Sequence, residues 1–263
     1  MKFLKIFLLH FEGLFEHRFR SFIWFLIPVI NMLPMILFWT LATKTNQNIS
    51  WSMRSLNSYY LILIIAISML TSHIEEDVGD IDIKQGELTR YLMRPFSYYW
   101  IKFFEEIPYR VLQGFYGITL FLVFSTIFRD YFQINLSTGI IFFGLISSIF
   151  AFLISFTFKM IVGYTAFWMT DNRAVAETVY ILTIIFAGQV IPLDLFPNQF
   201  REIVGLLPFA SMIYYPVIIF LGKATFSVML KIISIQIFWL IFFLILERFT
   251  WRKGIKEFTA LGQ

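Results

Sequence analysis

The sequence predicts an all-α, polytopic membrane protein with six transmembrane helices, in a single domain over residues 1–263. Hydrophobic residues make up 59% of the chain and charged residues only 14%, whereas soluble domains carry roughly a quarter charged residues. The hydrophobic residues also form continuous blocks, several of which approach or exceed the ~20 residues that a spanning helix needs. A membrane β-barrel is excluded, because its strands of ~10 residues would show alternation instead of solid apolar blocks.

The six blocks define the order of the predicted spans. These are Phe22–Leu41, Leu56–Ser72, Val111–Phe128, Gly139–Thr170, Thr178–Ile191 and Ala224–Leu246. An even number of spans puts both termini on one side, and the segments on that side carry most of the Lys and Arg residues. Because cytoplasmic segments are enriched in these cations, both termini are expected in the cytoplasm, and the protein is expected in the inner or plasma membrane.

Residues 1–20 are predicted to form an amphipathic helix in the membrane interface. Their charged residues share a narrow face of a helical wheel: Lys2, Lys5, Glu12 and Glu16. Phenylalanines occupy the opposite face, which is typical of a helix that lies in the interface plane before the first span.

The longest polar interval, residues 73–110, is predicted to be a cytoplasmic coupling loop that contains a short amphipathic helix. Its apolar residues recur at i, i+3, i+4 and i+7 and share one face: Leu88, Tyr91, Leu92 and Pro95. Its charged residues lie on the other side: Glu87, Arg90 and Arg94. Gly86 predicts a bend before this helix, and Pro95 predicts its end because proline lacks the N–H and crowds the preceding turn. The helix either covers its own bundle or takes force from a soluble partner.

The segment Leu193–Lys223 is too apolar for a free loop and too interrupted for a span. Pro197, Pro208 and Pro216 divide it into short pieces. Broken backbone at membrane depth is tolerated only when it is buried in protein or lines a cavity. We therefore predict a re-entrant helical hairpin on the extracytoplasmic side.

The sequence shows no strong catalytic or metal site. The chain contains no cysteine, and it lacks a complete phosphate-binding loop. The acids between Glu75 and Asp82 do not have the spacing of an EF-hand, since Lys84 stands where an acceptor is needed. They are interpreted as a solvated acidic face. Lys159, inside the fourth apolar block, is either a functional intramembrane charge or a side chain that snorkels to the interface.

Several stretches resemble the permease subunits of type-2 ABC exporters, in particular the daunorubicin-resistance-like branch. The first is IKQGELTRYLMRP at Ile83–Pro95. The others are Ala166–Trp168 ahead of Asp171, GQVIPLDLFP at Gly188–Pro197, LPFASMIYYPVIIFLG at Leu207–Gly222, and the tail Trp251–Gly262.

The resemblance implies that two six-span permeases form a homodimer or heterodimer, and that each docks on an ATP-binding subunit through the loop between spans two and three. The partner subunit would bind ATP and Mg, so this chain would hold no cofactor and would not be an enzyme. Membrane lipid is an expected partner and nucleic acid is not. On this basis the ATPase-coupling residues are Gly86, Glu87, Leu88, Arg90, Tyr91, Leu92, Arg94 and Pro95.

In an exporter the predicted outer hairpin either closes the substrate path or only packs against the bundle. The residues expected to form an outer gate are Phe196, Pro197, Leu206, Leu207, Pro208 and Phe209. Two other functions were considered. An ion-coupled secondary carrier would use Lys159 and Glu177 and would need further buried ionisable groups. A membrane-embedded lipid-modifying enzyme would use the His73–Asp82 cluster and would need an acid/base or metal constellation.

Overall fold

The computed structural model describes residues 6–8, 10–13, 18–45, 51–133 and 136–259, and no β-strand occurs in these ranges. Residues 6–8 and 10–13 are helical, whereas Lys2, Lys5 and Glu16 of the predicted interfacial helix lie outside the described residues. The later helices are α1 Arg18–Thr45, α2 Met53–Leu70, α3 Ile74–Glu76, α4 Leu88–Leu92, α5 Tyr98–Ile127, α6 Thr138–Tyr164, α7 Arg173–Phe186, α8 Asn198–Leu206, α9 Pro208–Met212, α10 Tyr214–Phe220 and α11 Phe226–Glu257. A π-helix, Asp77–Lys84, continues α3.

Within the described residues, four helical stretches are long and apolar enough to cross a membrane. They are Met53–Lys84, Tyr98–Ile127, Thr138–Phe167 and Phe226–Glu257. Each has 30 or 32 residues, so the three uninterrupted stretches are at least about 45 Å long, against a hydrocarbon core of about 30 Å. Met53–Lys84 is interrupted at residues 71–73. The structure thus agrees with the sequence that the protein is an all-helical, multi-pass membrane protein.

The other two predicted spans fall on α1 and α7. Within α1 the apolar helical stretch is Leu33–Thr43, which is shorter than the four stretches above. Helix α7 has 14 residues and is about 21 Å long, which is less than the thickness of the hydrocarbon core. The count of six spans therefore stays a prediction.

The polar interval after the second predicted span is mostly helical. The stretch that begins with α2 extends to Lys84, and α5 begins at Tyr98, well before the predicted start at Val111. Only residues 85–87 and 93–97 lie outside helices between these two stretches. The sequence placed these boundaries too close to the apolar blocks, because several of the charged residues are paired inside the protein.

Helix α6 is at the centre of the bundle and contacts α2, α3, α9, α10 and α11. Its glycines allow close packing. A Cβ on Gly163 would lie 2.7 Å from Val78 Cγ1 of the π-helix, and a Cβ on Gly144 would lie 2.6 Å from the Phe220 ring. Large apolar side chains on the outward surfaces of the long helices are exposed, among them Phe115 at 65% and Phe238 at 61%. Lipid is the environment in which such surfaces are stable.

The broken segment after α7 packs into the bundle as three short helices, α8, α9 and α10. Where the helices are interrupted, backbone carbonyl groups are left without helical partners, and side chains donate hydrogen bonds to them. Trp239 Nε1 donates to the Leu206 carbonyl at 2.9 Å, Gln236 Nε2 donates to the Ser211 carbonyl at 2.9 Å, and the Tyr215 hydroxyl donates to the Gly205 carbonyl. These bonds supply what interrupted helical backbone requires where water is excluded.

Candidate functional site

The two ends of α2 define the two ends of the bundle. Near its start, the Tyr59 hydroxyl donates to the Gly188 carbonyl at 2.6 Å, at the end of α7. Just beyond its other end, the Ser72 amide donates to Ser155 of α6 at 3.2 Å. The second end contains four ion-paired groups of residues, and we call it the charged end. Among the described residues, its ion-paired members are Glu75, Asp80, Asp82, Lys84, Lys102, Glu105, Glu106, Arg110, Lys159 and Arg173.

The most deeply buried ion pair joins Lys159 of α6 to Glu75 of α3. Lys159 is 2% exposed and Glu75 is 5% exposed. Of the two interpretations of Lys159, snorkelling to the interface does not hold, because its ammonium binds a carboxylate inside the protein. A buried charge is tolerated when it is paired and hydrogen-bonded, and removal of one partner is costly.

A second buried pair joins the π-helix to the start of α5. Lys102 Nζ lies 2.6 Å from Asp82 Oδ2 and 3.5 Å from Glu105 Oε2. The Tyr98 hydroxyl donates to the same Asp82 oxygen at 2.5 Å. Asp82 is 1% exposed, so the expectation of a solvated acidic face was wrong for Glu75 and Asp82.

Two further pairs surround these. Arg110 lies 2.6 Å from Glu106 and also donates to the Ser68 carbonyl at 3.2 Å, which ties α5 to the end of α2. Arg173, at the start of α7, donates to Asp80 at 2.7 Å. The charged end therefore links α2, the π-helix, α5, α6 and α7 through charge-assisted hydrogen bonds, which are stronger than neutral ones.

The segment Gly86–Pro95 is attached to this network through Tyr91. Gly86 has φ +81°, a conformation that favours glycine, and it makes the bend that the sequence predicts. The Tyr91 ring is 4% exposed and packs edge-on against Tyr98 at 5.3 Å. Lys102 Nζ lies 4.9 Å from the centre of the Tyr91 ring, within the range of a cation–π contact.

The two faces of α4 lie in different environments. Leu88 is fully buried and Tyr91 nearly so, whereas Leu92 is 45% exposed and Met93 is 77% exposed. Leu88 and Tyr91 pack against other residues of the chain, as expected of a helix that covers its own bundle, and Leu92 is left exposed. The exposed residues of the segment include Glu87, Arg90, Leu92, Met93, Arg94 and Pro95. We call these six residues the exposed surface of the segment.

The exposed surface carries two guanidinium groups. Arg90 lies 3.4 Å from Glu87 and donates to the Tyr91 hydroxyl at 3.0 Å. This hydrogen bond raises the pKa of Arg90 above its ordinary value. Behind the segment is a cavity of about 600 Å³, whose lining includes Arg94, Asp77 and Glu105. The segment is therefore fixed on its inner side and accessible on its outer side.

A family model described as "ABC-2 family transporter protein" matches residues 29–262. The chain belongs to the ABC-2 transporter family. It is a transmembrane permease, and permeases of this family typically work with an ATP-binding subunit. No match was found among curated proteins or among solved structures.

The predicted gate residues of the permease lie in different environments. Pro208 is buried, Phe196, Leu207 and Phe209 are half-buried, and Leu206 and Pro197 are exposed. Phe196 contacts Phe200 edge-on at 5.2 Å, and Phe209 lies 6.1 Å from Phe186. Phe186 and Phe200 are themselves 6.3 Å apart. A chain of four rings thus connects Phe196 to Phe209, through two phenylalanines that the sequence analysis did not select.

The buried contacts of Asp82, Tyr98 and Lys102 of the permease were not predicted from the sequence. A signal was present, because Val78 and Asp82 are four residues apart and Glu75 and Asp82 are seven apart. This is the spacing of one helical face. Acids that share a helical face with an apolar residue such as Val78 indicate inward-facing carboxylates, and these need cations on neighbouring helices.

Proposed function

We propose that this permease is the membrane subunit of an ATP-driven exporter of the daunorubicin-resistance-like branch. It forms the translocation path as a homodimer or heterodimer, and separate ATP-binding subunits hold ATP and Mg and dock on the exposed surface of Gly86–Pro95. The observation that carries this proposal is the combination of an exposed surface at Leu92 and Met93 with a buried anchor at Leu88 and Tyr91.

The anchor gives a physical route for force. A partner that displaces α4 also displaces Tyr91, whose ring contacts Tyr98 and Lys102. Lys102 is bound to Asp82 of the π-helix, which continues α3, and α3 is bound to Lys159 at the centre of the bundle. A movement at the surface of the segment is thereby transmitted to α5 and α6 as movement of connected, closely packed elements.

Two alternative functions have less support. An ion-coupled carrier needs mobile or unpaired buried charges, but Lys159 is bound to Glu75 and Glu177 is exposed. A lipid-modifying enzyme needs a metal or acid/base constellation in the His73–Asp82 region. Among the described residues, no group of three or more His, Asp or Glu side chains is arranged to hold a metal ion.

The proposed topology has six spans, with both termini and the charged end in the cytoplasm of the inner or plasma membrane. Helices α1 and α7 provide the first and fifth spans, and α8–α10 form the re-entrant segment on the outer side, where Phe196 and Phe209 contribute to a gate. Single cysteines are convenient probes because the chain contains no cysteine. We expect a membrane-impermeant thiol reagent to label Asn198→Cys in intact cells and to label Thr89→Cys only after permeabilisation. Labelling of Thr89→Cys from outside would reverse the topology.

The function is tested by co-purification. The tagged chain, co-expressed with a neighbouring gene product that has phosphate-loop and ABC signature motifs, is expected to retain that ATPase through detergent extraction and size exclusion. The reconstituted pair is expected to hydrolyse ATP. A chain that purifies in folded form and retains none of the ATPase would contradict the proposal.

A further inference from the structure

Another cavity, of about 720 Å³, lies at the end of the bundle opposite the charged end, between the start of α2 and the segment 128–133 that follows α5. Two hydrogen bonds hold this segment against α2. Asn57 Nδ2 donates to the Tyr131 carbonyl at 3.3 Å, and the backbone N–H of Gln133 donates to the Ser58 hydroxyl at 2.8 Å. The two walls of the cavity are therefore fixed relative to each other.

The charged side chains that line this cavity leave it with a net positive charge. Arg54 and Arg129 are both exposed, and neither has an ion-pair partner among the residues that the structure describes. Asp130 is the single carboxylate of the described lining, so it offsets one of the two cations. Arg54 also lies in the first turn of α2, which contains no acidic residue, and the positive end of the helix dipole adds to its charge. An anion with one negative charge would neutralise the cavity.

A row of exposed aromatic rings borders the cavity at the end of α5. The rings of Phe124 and Phe128 are 5.5 Å apart, and the Phe128 ring lies 6.5 Å from the Tyr131 ring. Phe124 and Phe128 each follow a lining residue, Phe121 and Ser125, by three positions, so they are its neighbours on the helix surface. Exposed aromatic side chains at the end of a spanning helix are typical of the level where lipid head groups meet acyl chains.

We propose that this cavity binds the head group of an anionic phospholipid with one net negative charge. The phosphate lies between Arg54 and Arg129, whose guanidinium groups donate charge-assisted hydrogen bonds to its oxygens. The acyl chains lie along the exposed rings of Phe124 and Phe128. A zwitterionic phospholipid has the same phosphate, but its net charge of zero leaves the positive charge of the cavity without a counterion. This lipid site is separate from the surface of Gly86–Pro95 and goes beyond the function proposed above.

The test measures lipid binding to the purified full-length chain in a non-ionic detergent by native mass spectrometry. Dioleoylphosphatidylglycerol and dioleoylphosphatidylcholine are titrated separately, and the Kd of the first bound lipid is determined. We expect phosphatidylglycerol to bind about tenfold more tightly than phosphatidylcholine. Arg54→Gln and Arg129→Gln are each expected to weaken phosphatidylglycerol binding by about tenfold, with a further loss in the double variant. Both arginines are exposed, so these variants are expected to remain monodisperse.

Two other charge variants show whether the effect depends on the cavity. Asp130→Asn removes the carboxylate that opposes the phosphate, and it is expected to tighten phosphatidylglycerol binding by about threefold. Arg252→Gln removes an exposed arginine of α11 that does not line the cavity, and we expect it to bind phosphatidylglycerol as the unaltered chain does.

Further measurements separate a lipid from a free phosphate ester. Glycerophosphoglycerol is the phosphatidylglycerol head group without acyl chains, and it is expected to displace little of the bound lipid even at about a hundredfold excess, because it has no apolar part. Phe128→Ala removes one ring of the row and is expected to weaken phosphatidylglycerol binding by about threefold. Phe115→Ala is the matched control, since Phe115 is an exposed ring of α5 that is farther from the cavity, and its binding is expected to stay unchanged.

Equal affinity of the unaltered chain and of the double arginine variant for phosphatidylglycerol would overturn the proposal, as would equal affinity of the unaltered chain for the two lipids. Complete displacement by glycerophosphoglycerol would also overturn it, because the occupant would then be a free phosphate ester. None of these measurements uses the ATP-binding subunit, so failure of the lipid site is distinct from failure of the proposed function.

Discussion

Replacement of Lys159 by methionine is expected to lower the free energy of unfolding by about 3–5 kcal/mol, the range observed when one partner of a buried ion pair is removed. Methionine fills most of the volume of the lysine side chain, so the main change is the loss of the positive charge. Glu75, which is 5% exposed, then retains a buried carboxylate without its cation. The measurement is the apparent Tm of the purified chain in detergent, followed by the fraction that remains monodisperse after heating.

Two further variants separate the ion pair from general effects of substitution. Lys231→Met makes the same change at an exposed lysine of α11, and we expect its Tm to stay close to that of the unaltered chain. Lys159→Met combined with Glu75→Gln removes both charges and is expected to recover most of the stability. An equal Tm for Lys159→Met and Lys231→Met would show that the pair contributes nothing to the fold.

The Lys159–Glu75 pair also illustrates which contacts could not be predicted from the sequence. The apolar block around Lys159 is clear from composition, and the helix that it predicts is the central helix of the structure. The lysine itself has two interpretations in the sequence, because its partner is 84 residues away along the chain and belongs to an interval that was assigned to solvent. Pairing between helices depends on which faces meet, and the apolar pattern does not determine which polar residues are on those faces.

The predicted ends of the long helices were inaccurate for the same reason. The blocks near Leu56–Ser72 and Val111–Phe128 were found correctly, but both helices continue into the polar interval. A hydropathy pattern ends where charges begin. Asp82 and Lys102 extend the helices beyond this limit, because each neutralises the other at 2.6 Å inside the protein.

The segment Gly86–Pro95 was predictable as a local element and not as a surface. Gly86 and Pro95 enclose α4 as expected from backbone chemistry, since the bend has φ +81° at Gly86 and the helix ends at Leu92. Periodicity showed that Leu88 and Tyr91 share a face. It does not show whether such a face meets the same chain or another protein, and in this chain the face packs inward.

Replacement of Leu92 by aspartate is expected to weaken binding of the ATP-binding subunit by about 30-fold or more. Leu92 is 45% exposed, so the aspartate is hydrated in the isolated permease and its fold is preserved. Docking of a partner would bury the new charge without a compensating cation, and changes at the few dominant residues near the centre of an interface cost at least about 2 kcal/mol. The exposed location of Leu92 makes this variant a clean test, whereas Leu88→Asp would disrupt the interior.

Leu136→Asp is the matched control, because Leu136 is 48% exposed and lies between α5 and α6, close to the end of the bundle opposite the charged end. The decisive measurement is the amount of ATP-binding subunit that co-purifies with each tagged permease, together with the ATPase rate of the reconstituted complex. We expect Leu136→Asp to retain the subunit at the level of the unaltered chain, and Leu92→Asp to lose most of it while it remains monodisperse. Equal retention and equal ATPase rates for the two variants would contradict the assignment of Gly86–Pro95 as the coupling surface.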